Sequence, residues 1–347
     1  MDKILTIVIP TYNMEKYLDK CLTSLLFNDK DLLKQLEVLV VIDGSKDRSS
    51  LIAHSYEKKY PETFRVIDKE NGNYGSCINR GLKEATGKYI KILDADDSFD
   101  TNNLRSFILF IKDYDVDLIL NDFVMVDEND ITTRSFSFNL KPLELLNSHD
   151  LFENDVFTIQ MHGVTYKREN LISLGYTQTE GISYTDQEWV FTPMTKVKTG
   201  IYYNKSLYRY LIGREGQTVD KAVLKKQSNQ LGIVLSSLLE RYNNNNDLFY
   251  KPYMINQLKI QLYIYYKALI ENSFDLQVLK NIDIQIKEKC PELFNITDKI
   301  SSCKINYVRL WRKRKYNVLP FYIKAIIKFR NSFFSNKSLV VFHNINL

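Results

Sequence analysis

The chain has 347 residues, of which 44% are hydrophobic and 26% are charged, and its formal net charge is +5. This composition is typical of a folded protein with one or two cores, and the low Gly and Pro content excludes a disordered or collagen-like chain. No apolar run reaches the ~18 residues that a spanning helix needs, so we expect no membrane crossing. The first apolar run ends at Pro10 and is too short for a signal peptide.

The cysteines and the charge distribution add two further expectations. The four cysteines form no CxxC pair, which predicts reduced thiols in a cytoplasmic protein. Eleven Lys and Arg residues but no acid follow Asp298, so the C-terminal segment differs electrostatically from the rest of the chain.

Strands and helices alternate over the first hundred residues. Apolar runs predict buried strands at 4–9, 37–42, 64–67 and 89–93, with helices between them, and Asn13 is expected to cap the first helix. This order predicts an α/β fold with a doubly wound, mostly parallel sheet and right-handed crossovers. Ligands bind at the carboxyl ends of the strands in such sheets. Three strands end in polar residues that should therefore meet in one site: Thr11-Tyr12-Asn13, Asp43-Gly44-Ser45 and Asp94 to Asp97.

The pattern changes after residue 100. A further buried strand is predicted at 116–120, a shorter segment lies near 158–166, and a helix is expected to begin near 186. Beyond residue 217, apolar residues recur with the 3.6-residue period of helices, and a second helix is predicted at 254–269.

The strongest chemical feature is the acidic run Asp94-Ala95-Asp96-Asp97 at the end of a strand. Where a strand ends and turns, two carboxylates can converge on a hard cation such as Mg²⁺ or Mn²⁺. Such an ion neutralises the two phosphates of a nucleoside diphosphate. The alternative is a set of solubilising acids that also cap a helix at 101. Asp43 also has two interpretations: it either accepts a hydrogen bond from a base N–H or belongs to an ordinary turn.

Taken together, these segments resemble a known family. IVIPTYN, VVIDGSKDRS and NGNYGSCINRGLKEATGKYIKILDADD occur in the order and spacing of family 2 glycosyltransferases with the GT-A fold, which are nucleotide-sugar-dependent enzymes. The resemblance covers residues 3 to about 217. It implies metal ligation by Asp96 and Asp94, with Asp43 directed toward uracil and Asp97 supporting or capping. The nucleotide-sugar contacts that it implies are Pro10, Thr11, Tyr12, Asp43, Asn73, Asp94, Ala95 and Arg214.

Two positions depart from the family pattern. Ile42 stands where many members have a first acid, and Ile78 stands where many have an Arg. If a cation from this region contacts the nucleotide, Arg80 or Lys69 must supply it.

A second acidic cluster lies at Asp186 and Glu188. The resemblance implies that Asp186 is the general base, which removes the proton of the acceptor hydroxyl, with Glu188 as the reserve candidate. The alternative is that Thr185 or Asp186 only caps the following helix. Arg214 lies in a glycine-bearing segment that either covers the donor diphosphate or forms a surface loop. His162 either faces the acceptor or is structural.

These features predict two domains. Residues 1–217 form the GT-A catalytic domain, with a nucleotide-sugar-binding half at 1–100 and an acceptor half at 101–217. Residues 218–347 form a helical C-terminal region with a basic, aromatic tail at 299–347.

The composition of this tail is typical of a helix on an anionic membrane surface. Single-strand nucleic acid binding and an ordinary solvated face are the alternatives, and we expect no nucleic acid partner. An apolar helix face is predicted beside Lys324, Lys328 and Arg330, formed by Ile323, Ile326, Ile327 and Phe334.

The sequence therefore predicts an inverting, metal-dependent glycosyltransferase at the inner face of the plasma membrane. It would move a sugar from a nucleoside-diphosphate donor, UDP-linked, to a hydroxyl of a glycan or lipid-linked acceptor in cell-surface polysaccharide synthesis. One alternative is a sugar-phosphate nucleotidyltransferase, although IVIPTYNMEK lacks the Gly-rich loop with Arg and Lys. Another is a non-catalytic subunit that binds sugar nucleotides.

Overall fold

The computed structural model describes residues 2–153, 159–214, 217, 223, 226–271 and 275–334. The chain divides into two compact units, Met1–Glu215 and Gly216–Leu347. That residues 1–217 and 218–347 act as functional domains stays a prediction.

The first unit contains a ten-stranded sheet in the described part of the chain. Its spatial order is β3-β2-β1-β4-β9-β6-β10-β5, with β7 paired to β6 and β8 to β10. The strands are β1 (Leu5–Thr11), β2 (Leu36–Asp43), β3 (Phe64–Lys69), β4 (Tyr89–Ile92), β5 (Ser98–Phe99), β6 (Leu118–Val126), β7 (Thr132–Phe136), β8 (Leu145–Asn147), β9 (Val164–Lys167) and β10 (Thr199–Leu211).

The half of the sheet built from β1 to β4 is parallel, as predicted. β1 pairs with β2 and β4, and β2 pairs with β3. All of β2 and all of β1 except Pro10 are buried, which explains their continuous apolar runs. Each predicted strand in this half is present, with ends that differ by at most two residues.

The other half of the sheet is mixed. β9 lies between β4 and β6 and is antiparallel to both, whereas β10 runs parallel to β6 and antiparallel to β5. The strand predicted at 116–120 is β6, which extends further, to Val126. The segment predicted near 158–166 corresponds to a 3₁₀ turn at Met161–Gly163 followed by β9, and residue 158 lies outside the described residues.

Short helices connect these strands. They are α1 (Leu18–Thr23), α2 (Lys30–Leu33), α3 (Ser49–Lys59), α4 (Asn73–Glu84), α5 (Thr101–Ile111), α6 (Ser148–Glu153), α7 (Arg168–Ser173) and α8 (Asp186–Trp189). α4 packs closely on β1, because a Cβ on Gly81 would lie 2.3 Å from a methyl group of Val8. The expectation that Asn13 caps the first helix is wrong, since α1 begins five residues later. Asn13 instead accepts a hydrogen bond from the backbone of Lys46.

The second unit is helical, as predicted. Its helices are α9 (Ser228–Asn244), α10 (Lys251–Glu271), α11 (Leu276–Lys289), α12 (Pro291–Thr297), α13 (Tyr307–Lys313) and α14 (Phe321–Phe334). A buried ion pair links two of them: Nη2 of Arg312 on α13 lies 2.6 Å from Oδ1 of Asp283 on α11, and Tyr266 on α10 donates a hydrogen bond to the same carboxylate. Within the described residues, no helix has the length and apolarity needed to cross a membrane.

Candidate active site

The acidic run after β4 folds into a turn that β10 holds in place. The backbone N–H of Asp97 donates to the carbonyl of Asp94 at 3.0 Å. The Tyr208 hydroxyl accepts from the backbone N–H of Asp94 at 3.1 Å and donates to Asp97 Oδ2 at 2.6 Å. The N–H of Leu211 donates to Asp97 Oδ1 at 2.7 Å. Asp97 is therefore a supporting residue, whose two carboxylate oxygens are bonded to β10.

None of these acids caps the following helix. α5 is capped by Asp100, whose Oδ1 accepts from the backbone N–H of Asn103 at 2.9 Å. The alternative that the acidic run exists to cap this helix is therefore wrong, and another role is needed for Asp94 and Asp96.

Three carboxylates in this turn lie close enough together to hold a cation. One oxygen from each of Asp94, Asp96 and Asp97 lies within 4.8 Å of the others. Burial and the neighbouring charge of Asp96 raise the pKa of Asp94 to about 7, and the charge of Asp186 contributes. Buried carboxylates at this spacing repel one another unless a cation or a proton neutralises them. The oxygen-only donor set fits Mg²⁺ or Mn²⁺, with Asp94 and Asp96 as the candidate ligands.

A residue that the sequence did not single out fixes the Asp94 side chain. The Tyr74 hydroxyl, at the start of α4, donates to Asp94 Oδ1 at 2.9 Å. Asn73 begins the same helix with a left-handed φ of 65°. Ala95 is buried in the turn itself.

Arg214 reaches the acidic turn from the chain that follows β10. Its Nε lies 2.5 Å from Asp96 Oδ2, its guanidinium stacks 5.5 Å from the ring centre of Tyr17, and the Arg214 and Asp96 side chains are only 14% and 11% exposed. Of the predicted covering segment around Arg214, residues 215 and 216 lie outside the described residues. In this structure Arg214 thus neutralises a candidate metal ligand.

Asp43 ends β2 and is held inside the protein. Its Oδ1 accepts from the ammonium of Lys69 at 2.6 Å and from the N–H of Gly72 at 2.9 Å, while Oδ2 accepts from the amide of Asn71 at 3.0 Å. The segment that binds Asp43 continues directly into Tyr74, which binds Asp94. The sequence proposed Lys69 or Arg80 as the loop cation, and Lys69 is the one beside Asp43.

The residues at the C-terminal end of β1 differ in their exposure to solvent. Thr11 is buried, and its hydroxyl donates to the carbonyl of Ile9 at 3.2 Å. The ring of Tyr12 is exposed and can stack on a ligand. Pro10 is half-buried within β1, opposite Val41 of β2.

Asp186 lies at the start of α8, near enough to the acidic turn for its charge to raise the pKa of Asp94. Burial raises the pKa of Asp186, and its Oδ2 accepts from the side-chain amide of Gln187 at 2.9 Å. The pKa of Tyr210 on β10 is raised by burial and also by the charges of Asp97, Asp94, Asp96 and Asp186. The structure therefore places acids that are distant in sequence within electrostatic reach of one tyrosine.

Glu188 occupies a different position from Asp186. It is fully buried, and its two oxygens accept from the backbone N–H and the hydroxyl of Thr179, both at 2.7 Å. This arrangement favours a positioning role for Glu188. Thr185 makes no capping hydrogen bond, because its hydroxyl donates to the side chain of Gln178.

The loop that precedes α8 is bonded to α4. The Asn79 side chain accepts from the N–H of Gln178 at 2.8 Å and donates to the Gln178 carbonyl at 2.9 Å and to Glu180 at 2.8 Å. A Cβ on Gly75 would lie 2.1 Å from the carbonyl oxygen of Thr179, so only glycine allows this approach. These contacts join the segment that carries Asp94's partner to the segment that carries Asp186.

His162 packs against two tyrosines of β10. Its ring is buried, stacks on Tyr210 at 4.5 Å and meets Tyr208 edge-on at 4.7 Å. Burial and the neighbouring Lys91 charge lower its pKa to about 3, so it is neutral at physiological pH. Lys91 is itself fully buried and donates to Asn121 and to the carbonyls of His162 and Val164. These contacts favour the structural interpretation of His162, and the interpretation that it faces the acceptor stays a prediction.

The sequence of this chain matches a known protein family. Residues 6–175 match the model of glycosyl transferase family 2. Curated relatives include the glycosyltransferase GlyA of Streptococcus pneumoniae serotype 4, which is 28% identical over 228 residues, covering 61% of this chain and 31% of the relative. The poly(ribitol-phosphate) beta-N-acetylglucosaminyltransferase TarS of Staphylococcus aureus is 25% identical over 222 residues, covering 64% of this chain and 38% of the relative. The chain thus spans only about a third of the length of such relatives.

Solved structures show the same architecture. The crystal structure of S. aureus TarS 1–349 in complex with UDP superposes with a TM-score of 0.62 at 17% identity, covering 90% of this chain and 88% of that one. The complex of the same protein with UDP-GlcNAc has a TM-score of 0.52. At this identity the likeness shows the GT-A fold alone. With the family match, the sheet and the acidic turn in agreement, residues 6–175 of this chain belong to glycosyltransferase family 2.

Proposed function

We propose that this protein transfers a sugar from a UDP-linked donor to a hydroxyl group of a glycan or lipid-linked acceptor. The observation that carries the proposal is the grouping of the Asp94, Asp96 and Asp97 carboxylates within 4.8 Å of one another after β4 of a GT-A fold, with Asp186 near enough for its charge to raise the pKa of Asp94. The choice of UDP is supported by the TarS complexes with UDP and UDP-GlcNAc, and the polymeric acceptor by the poly(ribitol-phosphate) on which TarS acts.

The donor would lie along the strand ends. Asp43 would accept from the uracil N–H, and the exposed ring of Tyr12 would stack near the base beside buried Thr11. Asp43 has the rigidity that such a contact needs, because Lys69 and the Asn71–Gly72 segment hold its carboxylate.

Asp96 and Asp94 would hold Mg²⁺ or Mn²⁺, and the bound ion would supply positive charge to the departing diphosphate. Arg214 would then be displaced from Asp96 and would be available to pair with a phosphate oxygen. Tyr74 and Tyr208 keep the acidic turn in shape.

Asp186 would act as general base. Its carboxylate would take the proton of the acceptor hydroxyl while that oxygen attacks the anomeric carbon in line with the departing UDP, which inverts the configuration. Burial raises the pKa of Asp186, and a more basic carboxylate removes a hydroxyl proton more readily. Glu188 would keep α8 in place through Thr179.

The test is a product assay on the purified chain with candidate UDP-sugars. Release of UDP that rises when acceptor is added supports the proposal. Release of pyrophosphate would instead indicate a nucleotidyltransferase, and binding without any turnover would indicate a non-catalytic subunit. Asp96→Ala should abolish metal-dependent UDP binding, whereas unchanged affinity with Mn²⁺ present would remove Asp96 from the metal site.

The proposal also includes a place of action. A polysaccharide acceptor that grows on a lipid carrier would be reached most directly by an enzyme held peripherally at the inner face of the plasma membrane. The acid-free segment after Asp298 suits such a location, because anionic headgroups attract clustered Lys and Arg residues.

A further inference from the structure

The turn between α13 and α14 exposes a basic segment. Lys313, Arg314 and Lys315 are all exposed, and no acidic residue follows Asp298 in the sequence. Neighbouring Trp311 and Leu319 are buried, so the helical unit anchors this segment on both sides. A stretch of positive charge is thereby presented on a fixed support.

The same turn and the start of α14 expose apolar side chains. Phe321 is 85% exposed, Tyr322 66%, Val318 55% and Ile326 52%. Isolated exposed apolar residues are ordinary, but four within nine positions, two of them aromatic, form a patch that water solvates poorly. We name Lys313–Lys315 together with Val318, Phe321, Tyr322 and Ile326 the α14 patch.

The buried side of α14 differs from the face predicted from the sequence. Ile327 lies in the core and Lys324 is also buried, whereas Ile326 faces solvent. The predicted grouping of Ile326 with Ile327 on one face is therefore wrong, because Ile327 is buried and Ile326 is exposed. The side chains of Phe334, Lys328 and Arg330 lie outside the described ones.

We infer that the α14 patch docks on an anionic lipid bilayer, with the basic segment at the headgroups and Phe321, Tyr322 and Ile326 inserted at the acyl boundary. This inference deepens the membrane location included in the proposed function. Aromatic and aliphatic side chains beside Lys and Arg are the combination that an interfacial helix uses. A soluble polyanion would engage the charges but would leave the exposed apolar side chains in water.

The positive charge of the α14 patch also argues against a second copy of this chain as its binding partner. In a two-fold contact the same patch meets itself, so the Lys313–Lys315 segments of both copies would come together. Within the described residues, the acid nearest in sequence to the patch is Asp298, whose carboxylate already pairs with Arg309 and Arg312. An anionic bilayer supplies the negative charge that would pair with Lys313–Lys315.

The test measures binding of the full chain to vesicles by flotation. Vesicles of phosphatidylcholine with phosphatidylglycerol should bind it, and vesicles of phosphatidylcholine alone should bind far less. Replacing Lys313, Arg314 and Lys315 together by Gln should weaken binding about 100-fold, at the contribution usual for each basic residue near an anionic surface. The matched control is Lys58→Gln with Lys59→Gln on α3, which should bind like the natural chain.

The apolar contribution is measured separately. Phe321→Ser, Tyr322→Ser and Ile326→Ser together should weaken vesicle binding at least 10-fold and leave binding to soluble polyphosphate unchanged. Leu51→Ser, which removes an exposed apolar side chain from α3, is the control. These substitutions are preferable to deleting 308–347, because deletion would remove buried Val308 and Trp311 from the core.

Three results would overturn the inference: equal binding to neutral and anionic vesicles, a triple Ser variant that binds like the natural chain, or a monomer–dimer equilibrium that the triple Ser variant abolishes. UDP binding and the far-UV circular dichroism of each variant establish that it is folded. Because vesicle binding needs no turnover, its failure is distinct from failure of the proposed transferase activity.

Discussion

Arg214→Gln is expected to tighten the binding of Mn²⁺ to the free protein and to weaken the binding of UDP at saturating Mn²⁺. In the natural chain a cation must displace the Arg214 guanidinium, whose Nε lies 2.5 Å from Asp96 Oδ2, before it can use that oxygen. The glutamine variant retains a hydrogen-bonding group but leaves Asp96 without its positive neighbour. The metal site and the diphosphate site therefore respond with opposite signs.

The magnitude follows from the position of the pair. At 4 Å and an effective dielectric constant of 20, two unit charges attract by about 4 kcal/mol. Solvent contact and hydration of the released guanidinium reduce the net gain for Mn²⁺ to about 1–3 kcal/mol, or roughly 10- to 100-fold in affinity. Loss of a charge-assisted hydrogen bond to phosphate costs about 1.5–3 kcal/mol, so UDP should bind at least roughly 10-fold more weakly.

Electron paramagnetic resonance of free Mn²⁺ gives the first affinity, and isothermal titration with UDP gives the second. Arg214→Lys should fall between the natural chain and the glutamine variant in both, since it keeps the charge and loses the planar guanidinium. Arg80→Gln, which removes an exposed arginine paired with Glu84, is the matched control. If Arg214→Gln moved both affinities in the same direction, the exchange of Arg214 between Asp96 and the diphosphate would be refuted.

The remaining predictions concern the base, the acidic turn and the helical unit. Asp186→Asn should lower sugar transfer by roughly 10²–10⁴-fold with little change in donor affinity. Because the pKa of Asp186 is raised, its contribution to the acidic limb of the natural rate profile should lie above the usual carboxyl range and should be absent in the variant, whereas the contribution of Asp94 should remain; near-normal turnover would exclude this base. Tyr208→Phe should weaken metal-dependent UDP binding by about 10-fold, since Asp97 loses a donor, whereas Tyr203→Phe should not, and calorimetry distinguishes them. Arg312→Met should lower the free energy of unfolding by about 3–5 kcal/mol in chemical denaturation, and adding Asp283→Leu should recover most of the loss; a neutral single variant would contradict a buried pair.

The sequence predicted those parts of the site that local pattern determines. Buried parallel strands read as continuous apolar runs, so the ends of β1, β2 and β4 and the polar residues that follow them could be located. The acids at 94 and 96 were identifiable for the same reason. The mixed half of the sheet was harder to predict, because the pairing of β9 between β4 and β6 depends on contacts between residues far apart in the chain.

Other features could not be predicted from the spacing of residues in the sequence. Tyr74 and Tyr208 act through single hydroxyl groups that reach across the fold, and nothing in their neighbourhood distinguishes them from core tyrosines. The buried face of α14 depends on which side packs against the helical unit, and its short amphipathic pattern fits more than one orientation. Asn13 failed as a cap because its side-chain oxygen accepts from the backbone N–H of Lys46, which is distant in sequence, and α1 begins only at Leu18.

The hydrogen bonds from Asn79 to Gln178 and Glu180 have a consequence for how the enzyme would move. They connect the predicted nucleotide half at 1–100 with the predicted acceptor half at 101–217, in the loop that precedes the proposed base. A hinge between these halves would have to break these hydrogen bonds. The distance between the proposed base and the candidate metal ligands would therefore be set during folding, before either substrate arrives, and catalysis would draw on preorganisation rather than on closure of one half over the other.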